Sequence, residues 1–220
     1  MRIALIGMSG AGKSFWSNVL RDHGFEAFSC DDHIGRRLTA AGEISDAAFE
    51  HLGRWMGFPF EPGFARREAR YMALERAVME ELLTRLEALP SGKVATDLVV
   101  DTTGSVIYTG DAVMQRLQRE TVVIYLSLPA TQHAVLRRSY EKSPRPVIWH
   151  GHFKKNDGET DRQALKRCYA NLLAERDRRY RRYAHLEIQW EPTAGQPPRA
   201  ETLIAPATTF LDQQRGYRDV

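Results

Sequence analysis

Residues 7–14 read Gly-Met-Ser-Gly-Ala-Gly-Lys-Ser, which satisfies G-x-x-x-x-G-K-[ST] at every fixed position. Glycines at such spacing let the backbone curl until successive N–H groups point inward at the oxygens of a polyphosphate. A helix beginning at the lysine adds the partial positive charge of its N-terminus to the same place. The chemistry this pattern suits is nucleotide binding. Gly7, Ser9, Gly10, Ala11 and Gly12 would cradle the phosphates of ATP, Lys13 would reach the β- and γ-phosphates, and the Ser14 hydroxyl would bind Mg²⁺.

A site of this type needs a second group on the metal side, usually an aspartate at the end of a neighbouring strand. Asp101 ends the apolar run Asp-Leu-Val-Val-Asp and is the candidate, although it could instead cap a turn with Thr102 and Thr103. Asp31 and Asp32 follow a second strand-like run, where a carboxylate can orient an acceptor hydroxyl and take its proton. Helix capping is the alternative use, and one of the two can cap while the other faces the cleft. Arg176 interrupts the stripe Leu165, Cys168, Leu172, Tyr180, Tyr183, so it faces inward and requires an acidic partner, either a ligand or a protein carboxylate.

The elements that must position these residues follow from periodicity. Strands are expected at residues 2–6, 25–29, 97–101, 121–127 and 186–190, the fourth too apolar to have a wet face. Helices are expected at 13–21, in two pieces over 31–52 broken around Gly42, and at 66–89, 130–141 and 161–183. The aromatic stretch 53–63 reads as a loop, 143–160 as a long irregular segment, and 191–220 as a proline-rich linker leading to a short helix kinked or broken at Pro206. Strands alternating with helices imply a parallel sheet covered on both faces, with its chemistry outside the carboxyl ends of the strands. The whole chain, 1–220, is expected to form one such domain.

Composition excludes little but agrees. With 31 basic and 28 acidic residues among 220, the formal charge is +3, which does not call for a nucleic-acid partner. Cys30 and Cys168 match no metal-ligand spacing and are expected as reduced thiols. No apolar run approaches the roughly 20 residues of a membrane span and nothing resembles a signal peptide, so a cytoplasmic protein without membrane partners is expected.

These residues together resemble the shikimate kinase family of small P-loop kinases, over about residues 2–190. The glycine loop LIGMSGAGKS, the segment FSCDDHI, the turn DTTGS, the run TVVIYLSLPATQHAVLRRSYEKSPRPV and the segment LLAERDRRY carry the resemblance. It implies a three-layer α/β/α P-loop kinase fold with a five-stranded parallel sheet and a mobile lid at about 143–160. It further implies substrate contacts from Asp31, Gly104 and Arg176, and a lid arginine, Arg145, folding over the ATP phosphates and stabilising charge on the transferring phosphoryl group. Lys13, Asp31 and Arg145 thereby become the expected catalytic set.

The departures from the family pattern are as specific. Ser29 stands where the family has its metal-side aspartate, which shifts that duty to Asp101. Ala65 stands where it has an arginine, for which Arg66 or Arg67 would substitute after a local helix shift. Thr103 and Ser105 replace two of three glycines and add side chains where a substrate ring would pack. The segment also carries His150, His152, Trp149 and Phe153, read either as packing of a closed lid or as contacts to adenine or substrate, with the histidines a weak metal signal. The expected activity is phosphoryl transfer from ATP to a hydroxyl of a small metabolite, anionic ones included, with an acceptor other than shikimate. A nucleoside or nucleotide acceptor stacked on the 55–60 aromatics is the alternative, and a nucleotide-switched regulatory or toxin-type protein the other.

Overall fold

A computed structural model describes residues 1–46, 49–88, 97–189 and 198–216. The strands are β1 (Arg2–Ile6), β2 (Glu26–Ser29), β3 (Leu98–Asp101), β4 (Val122–Ser127) and β5 (Leu186–Gln189), all parallel, in the order β2-β3-β1-β4-β5. The helices are α1 (Lys13–Asp22), α2 (Cys30–Ala40), α3 (Phe49–Met56), α4 (Phe64–Glu87), α5 (Asp111–Glu120), α6 (Ala130–Lys142), α7 (Asp161–Tyr183) and α8 (Glu201–Gly216). The expected α/β architecture with a five-stranded parallel sheet is what the chain adopts.

Alternation along the central strands divides the core into two layers. Ile3 and Leu5 of β1, with Val122, Ile124 and Leu126 of β4, face Trp16 and Leu20 of α1 and Leu203 and Ala207 of α8. Ala4 and Ile6, with Val123 and Tyr125, face the other way, onto α2, α4, α5 and α7. The sheet is therefore the middle of three layers, and a run such as VVIYLS is buried throughout because neither face is wet.

Register sets the site. Leu5 pairs with Asp101 across β1 and β3, and Ser29 pairs with Asp101 across β2 and β3. The carboxyl ends of these strands thus finish level, and the segments that leave them (7–12, 30–32 and 102–105) converge on one edge. Helix α7 is fixed at its start by a capping box, in which Thr160 Oγ1 accepts from Gln163 N while Gln163 reaches back to Thr160 N.

Differences from the sequence expectation are local. Helix α5 and a 3-10 turn at Val106–Tyr108 occupy a stretch for which no element is expected. Helix α3 runs to Met56, so Trp55 lies on a helix rather than in the loop expected from residue 53. Helix α8 continues through Pro206 as one helix. Residues 89–96, 190–197 and 217–220, and with them the expected proline-rich linker, the last residue of the 66–89 helix and Trp190, lie outside the described residues.

Candidate active site

The glycine loop has the geometry its residues demand. Gly7 sits at φ 149°, and a Cβ there would lie 2.8 Å from the Leu126 carbonyl oxygen of β4. Any other residue would push the loop off the sheet. Gly12 caps α1 in the left-handed region at φ 89°. Lys13 is buried and folds back along its own loop, its Nζ donating to the carbonyls of Gly7 and Met8, each at 3.0 Å. Burial lowers its pKa, with the carboxylates of Asp101 and Asp31 pulling the other way. The charge is thus held, little solvated, at the mouth of the loop.

Asp101 is buried at the end of β3, where burial raises its pKa while the nearby Ser14 hydroxyl and Lys13 ammonium pull it down. A hydroxyl and a carboxylate therefore stand near one ammonium group. Asp31 is half-buried in the first turn of α2 and accepts from Tyr71 Oη at 3.0 Å. Burial raises its pKa while Lys13 opposes the rise. Capping falls to neither aspartate, because Ser29 Oγ accepts from Asp32 N at 3.3 Å and does that work itself. Asp31 is left to face Lys13, and Asp32 is exposed.

Gly104 is wedged between two parts of the site. A Cβ on it would lie 3.4 Å from both Arg176 Nη1 and Ser9 N, and its carbonyl accepts from Tyr180 Oη at 2.6 Å. The turn around it is tied to β1 by Thr102 Oγ1, which donates to the Leu5 carbonyl at 2.7 Å. Thr103 and Ser105, expected to add side chains beside a substrate ring, are buried. Both hydroxyls donate to the Glu75 carboxylate of α4, Ser105 Oγ at 2.8 Å from Oε2 and Thr103 Oγ1 to Oε1. Glu75 is fully buried, and burial raises its pKa to about 7 against the pull of the two hydroxyls and Arg176.

Arg176 is 5% exposed, as its place in an inward stripe predicts. Among the described residues it has no carboxylate partner. Nη2 donates to the Ile148 carbonyl at 2.6 Å, the guanidinium lies 5.6 Å from the centre of the Tyr108 ring, and Nε has no hydrogen-bond partner. The buried Glu75 carboxylate attracts it through the interior without reaching ion-pair distance. A buried cation with a spare donor points to a ligand.

Two expected residues are not drawn in. Arg66 is exposed and joins no ion pair among the described residues, while Arg67 donates to the carbonyls of Met56 at 2.9 Å and Pro62 at 3.2 Å and so fixes the loop before α4. Arg145 is exposed in the irregular segment after α6, where its charge acts on Tyr169. Trp149 does not present itself to a ligand. It is 1% exposed and packs edge-on against Tyr140, Phe153 and Tyr169. His150 stacks on Tyr108 with ring centres 4.3 Å apart, and His152 Nε2 lies 3.8 Å from Glu175. The described residues hold no cluster of three His, Cys, Asp or Glu side chains suited to a metal, and both cysteines are free and buried.

Sequence reasoning missed Glu75 and Tyr108, and gave Glu68 no role. Glu75 carried a usable signal, since it lies one residue from Leu74 and three from Val78 in the inward stripe of α4, the same logic that singles out Arg176. Glu68 ends the Phe64-Ala65-Arg66-Arg67-Glu68 segment, but nothing local indicates its partners, which lie more than 80 residues away.

Fold and glycine loop together define a P-loop kinase architecture. The chain resembles the shikimate kinases in three dimensions: it is similar to shikimate kinase from Acinetobacter baumannii in complex with shikimate (TM-score 0.59, 23% identity, covering 97% of this chain and 93% of that one). It is likewise similar to shikimate kinase from Bacteroides thetaiotaomicron (TM-score 0.59, 19% identity, 96% and 98% covered). Dephospho-CoA kinase from Campylobacter jejuni shares the fold too (TM-score 0.53, 13% identity, 98% of each chain). No protein-family model matches the chain, and no curated protein matches it. Among the described residues, no helix is long and apolar enough to cross a membrane.

Proposed function

We propose that this protein transfers the γ-phosphoryl group of ATP to a hydroxyl of a small metabolite. The observation that carries the reading is the convergence of Lys13, the Ser14–Asp101 pair and Asp31 at one edge of the sheet. Backbone amides of residues 7–14 hold the phosphates, and Lys13 exchanges its two carbonyl partners for β- and γ-oxygens. Ser14 and Asp101 are the ligands for Mg²⁺, a cation that typically takes one or two protein oxygens and completes its shell with phosphate and water. When bound, Mg²⁺ neutralises charge building on the phosphates.

The acceptor sits between Asp31, Gly104 and Arg176. Its hydroxyl oxygen bonds to the γ-phosphorus as the bond from that phosphorus to the bridging oxygen of ADP breaks. The hydroxyl proton passes to Asp31, whose raised pKa makes it a better base than an exposed aspartate. Arg145 comes over the phosphates in the ternary complex.

The acceptor differs from shikimate in this reading. Ala65 supplies no guanidinium, and Thr103 and Ser105 are committed to Glu75. Among the 55–60 aromatics Phe58 and Phe60 stack on each other, with ring centres 5.6 Å apart, and Phe60 stays exposed, so a stacked base is the second reading. An ADP-release assay with MgATP across polyols, hydroxy acids and nucleosides tests the proposal. Turnover with a hydroxy compound supports it, turnover with nucleosides alone replaces the acceptor, and failure to bind MgATP ends it.

A further inference from the structure

The segment after α6 is held down by a three-point polar clasp. Glu68 Oε1, on α4, accepts from Trp149 N at 2.5 Å and from His150 N at 3.0 Å. Arg176, on α7, donates to the carbonyl of the preceding residue, Ile148, at 2.6 Å. Three consecutive residues are thus gripped by an anion on two donors and a cation on one acceptor, from helices on either side. Charge-assisted bonds of this kind are roughly twice as strong as neutral ones. Glu68 joins no ion pair among the described residues, so its charge is directed at these two amides.

Other contacts bear on the same spot. His150 is held at φ 48°, a conformation a non-glycine residue keeps only where its surroundings over-determine it, and it is stacked on Tyr108. Trp149 is sunk among Tyr140, Phe153 and Tyr169. Tyr108 donates to Glu175 at 2.6 Å, and the Arg176 guanidinium lies over its ring. The arginine that faces the acceptor is therefore the arginine that holds the segment closed.

We propose that Glu68 is a positioning residue that, with Arg176, latches residues 148–150 over the acceptor side and keeps water from taking the phosphoryl group. The inference rests on the phosphotransferase reading above, and it adds a gate to it. In the open form, a water oxygen bonds to the γ-phosphorus as the bond to ADP breaks, and inorganic phosphate and a proton leave. With the clasp shut, that path is closed until an acceptor hydroxyl takes the place of water.

Amide hydrogen exchange on the full chain tests the latch without any ligand. In the wild type the Trp149 and His150 amides exchange slowly; in Glu68→Ala both exchange at least about tenfold faster while the β1 and β4 amides are unchanged. Glu68→Gln, which keeps an acceptor oxygen and loses the charge, falls between them and serves if the alanine variant does not fold. With MgATP and no acceptor, phosphate release by Glu68→Ala rises several-fold over the wild type at equal MgATP affinity. Fast exchange of the two amides in the wild type, or equal rates in wild type and variant, overturns the clasp. Freed amides with unchanged phosphate release overturn the gating role. A wild type that binds no MgATP overturns the proposed function, and the gate with it, while the amide rates still judge the clasp on their own.

Discussion

The phosphate side and the acceptor side of this cleft are built on opposite plans. The phosphate side is one contiguous run, residues 7–14, whose partners are mainly its own backbone: Lys13 bonds to the carbonyls of Gly7 and Met8, and Ala11 N donates to Met8 O. The acceptor side is gathered from α2, α4, the 102–105 turn, the 148–150 segment and α7, through bonds such as Ser105 to Glu75, Tyr180 to Gly104 and Arg176 to Ile148. A short-range device of backbone amides reads a ligand common to many enzymes. A long-range device of side chains can change its ligand by changing one partner, and under the proposed function the pairing of Glu75 with Thr103 and Ser105 is such a change.

Variants that touch one side only separate the two. Lys13→Ala should have the largest effect, lowering phosphoryl transfer by on the order of 10³-fold or more, because it removes the preorganised charge at the β- and γ-phosphates. Steady-state ADP release measures this, and a variant as active as the wild type would remove the phosphate side from the account. Asp31→Asn should lower kcat by about 10²- to 10³-fold while leaving MgATP affinity within about twofold, the signature of a group acting on the acceptor alone. A parallel loss of nucleotide affinity would mean the two sides are not separable.

Glu75 gives a smaller effect, visible without substrate. Its folded pKa of about 7 lies above the ordinary 4.5, so the folded protein keeps a proton that the unfolded chain has released. The resulting contribution to stability is present in full below about pH 4.5 and is lost as pH rises to about 7, on the order of 3 kcal/mol at the limit. Burial raises the pKa of Asp31 and Asp101 in the same direction. The clean measurement is therefore a difference: urea unfolding between pH 5 and 7.5 should show a fall for the wild type that Glu75→Gln largely removes. Parallel curves for the two proteins would contradict a buried, near-neutral titration at this position.

How much was legible in the sequence divides along the same line. The five strands, most of the helices and the whole glycine loop follow from local pattern, because strand alternation, helical spacing and a loop of fixed length are written within a few residues. Helix α5 escaped because its core contact is only Val113, Met114 and Leu117 among polar neighbours, too few turns to establish a period. Ser29 shows what a motif position cannot convey: the residue filling an expected metal-side place spends its oxygen on capping α2, and that frees Asp31. Thr103 and Ser105 were legible as departures, but the direction of their side chains depends on Glu75, 28 and 30 residues away. Glu68 and its amides, separated by 81 and 82 residues, could be joined only by the fold.

Under the proposed function, residues 7–14 grip a nucleotide's phosphates with main-chain amides. Calorimetric titration of the wild type and Gly7→Ala with MgATP tests it most directly, since a Cβ at Gly7 would stand 2.8 Å from the Leu126 carbonyl oxygen and displace the loop. One saturable site in the wild type, weakened at least about tenfold in the variant, is the result expected. Absence of binding heat in the wild type, or equal affinities in the two proteins, would contradict the account.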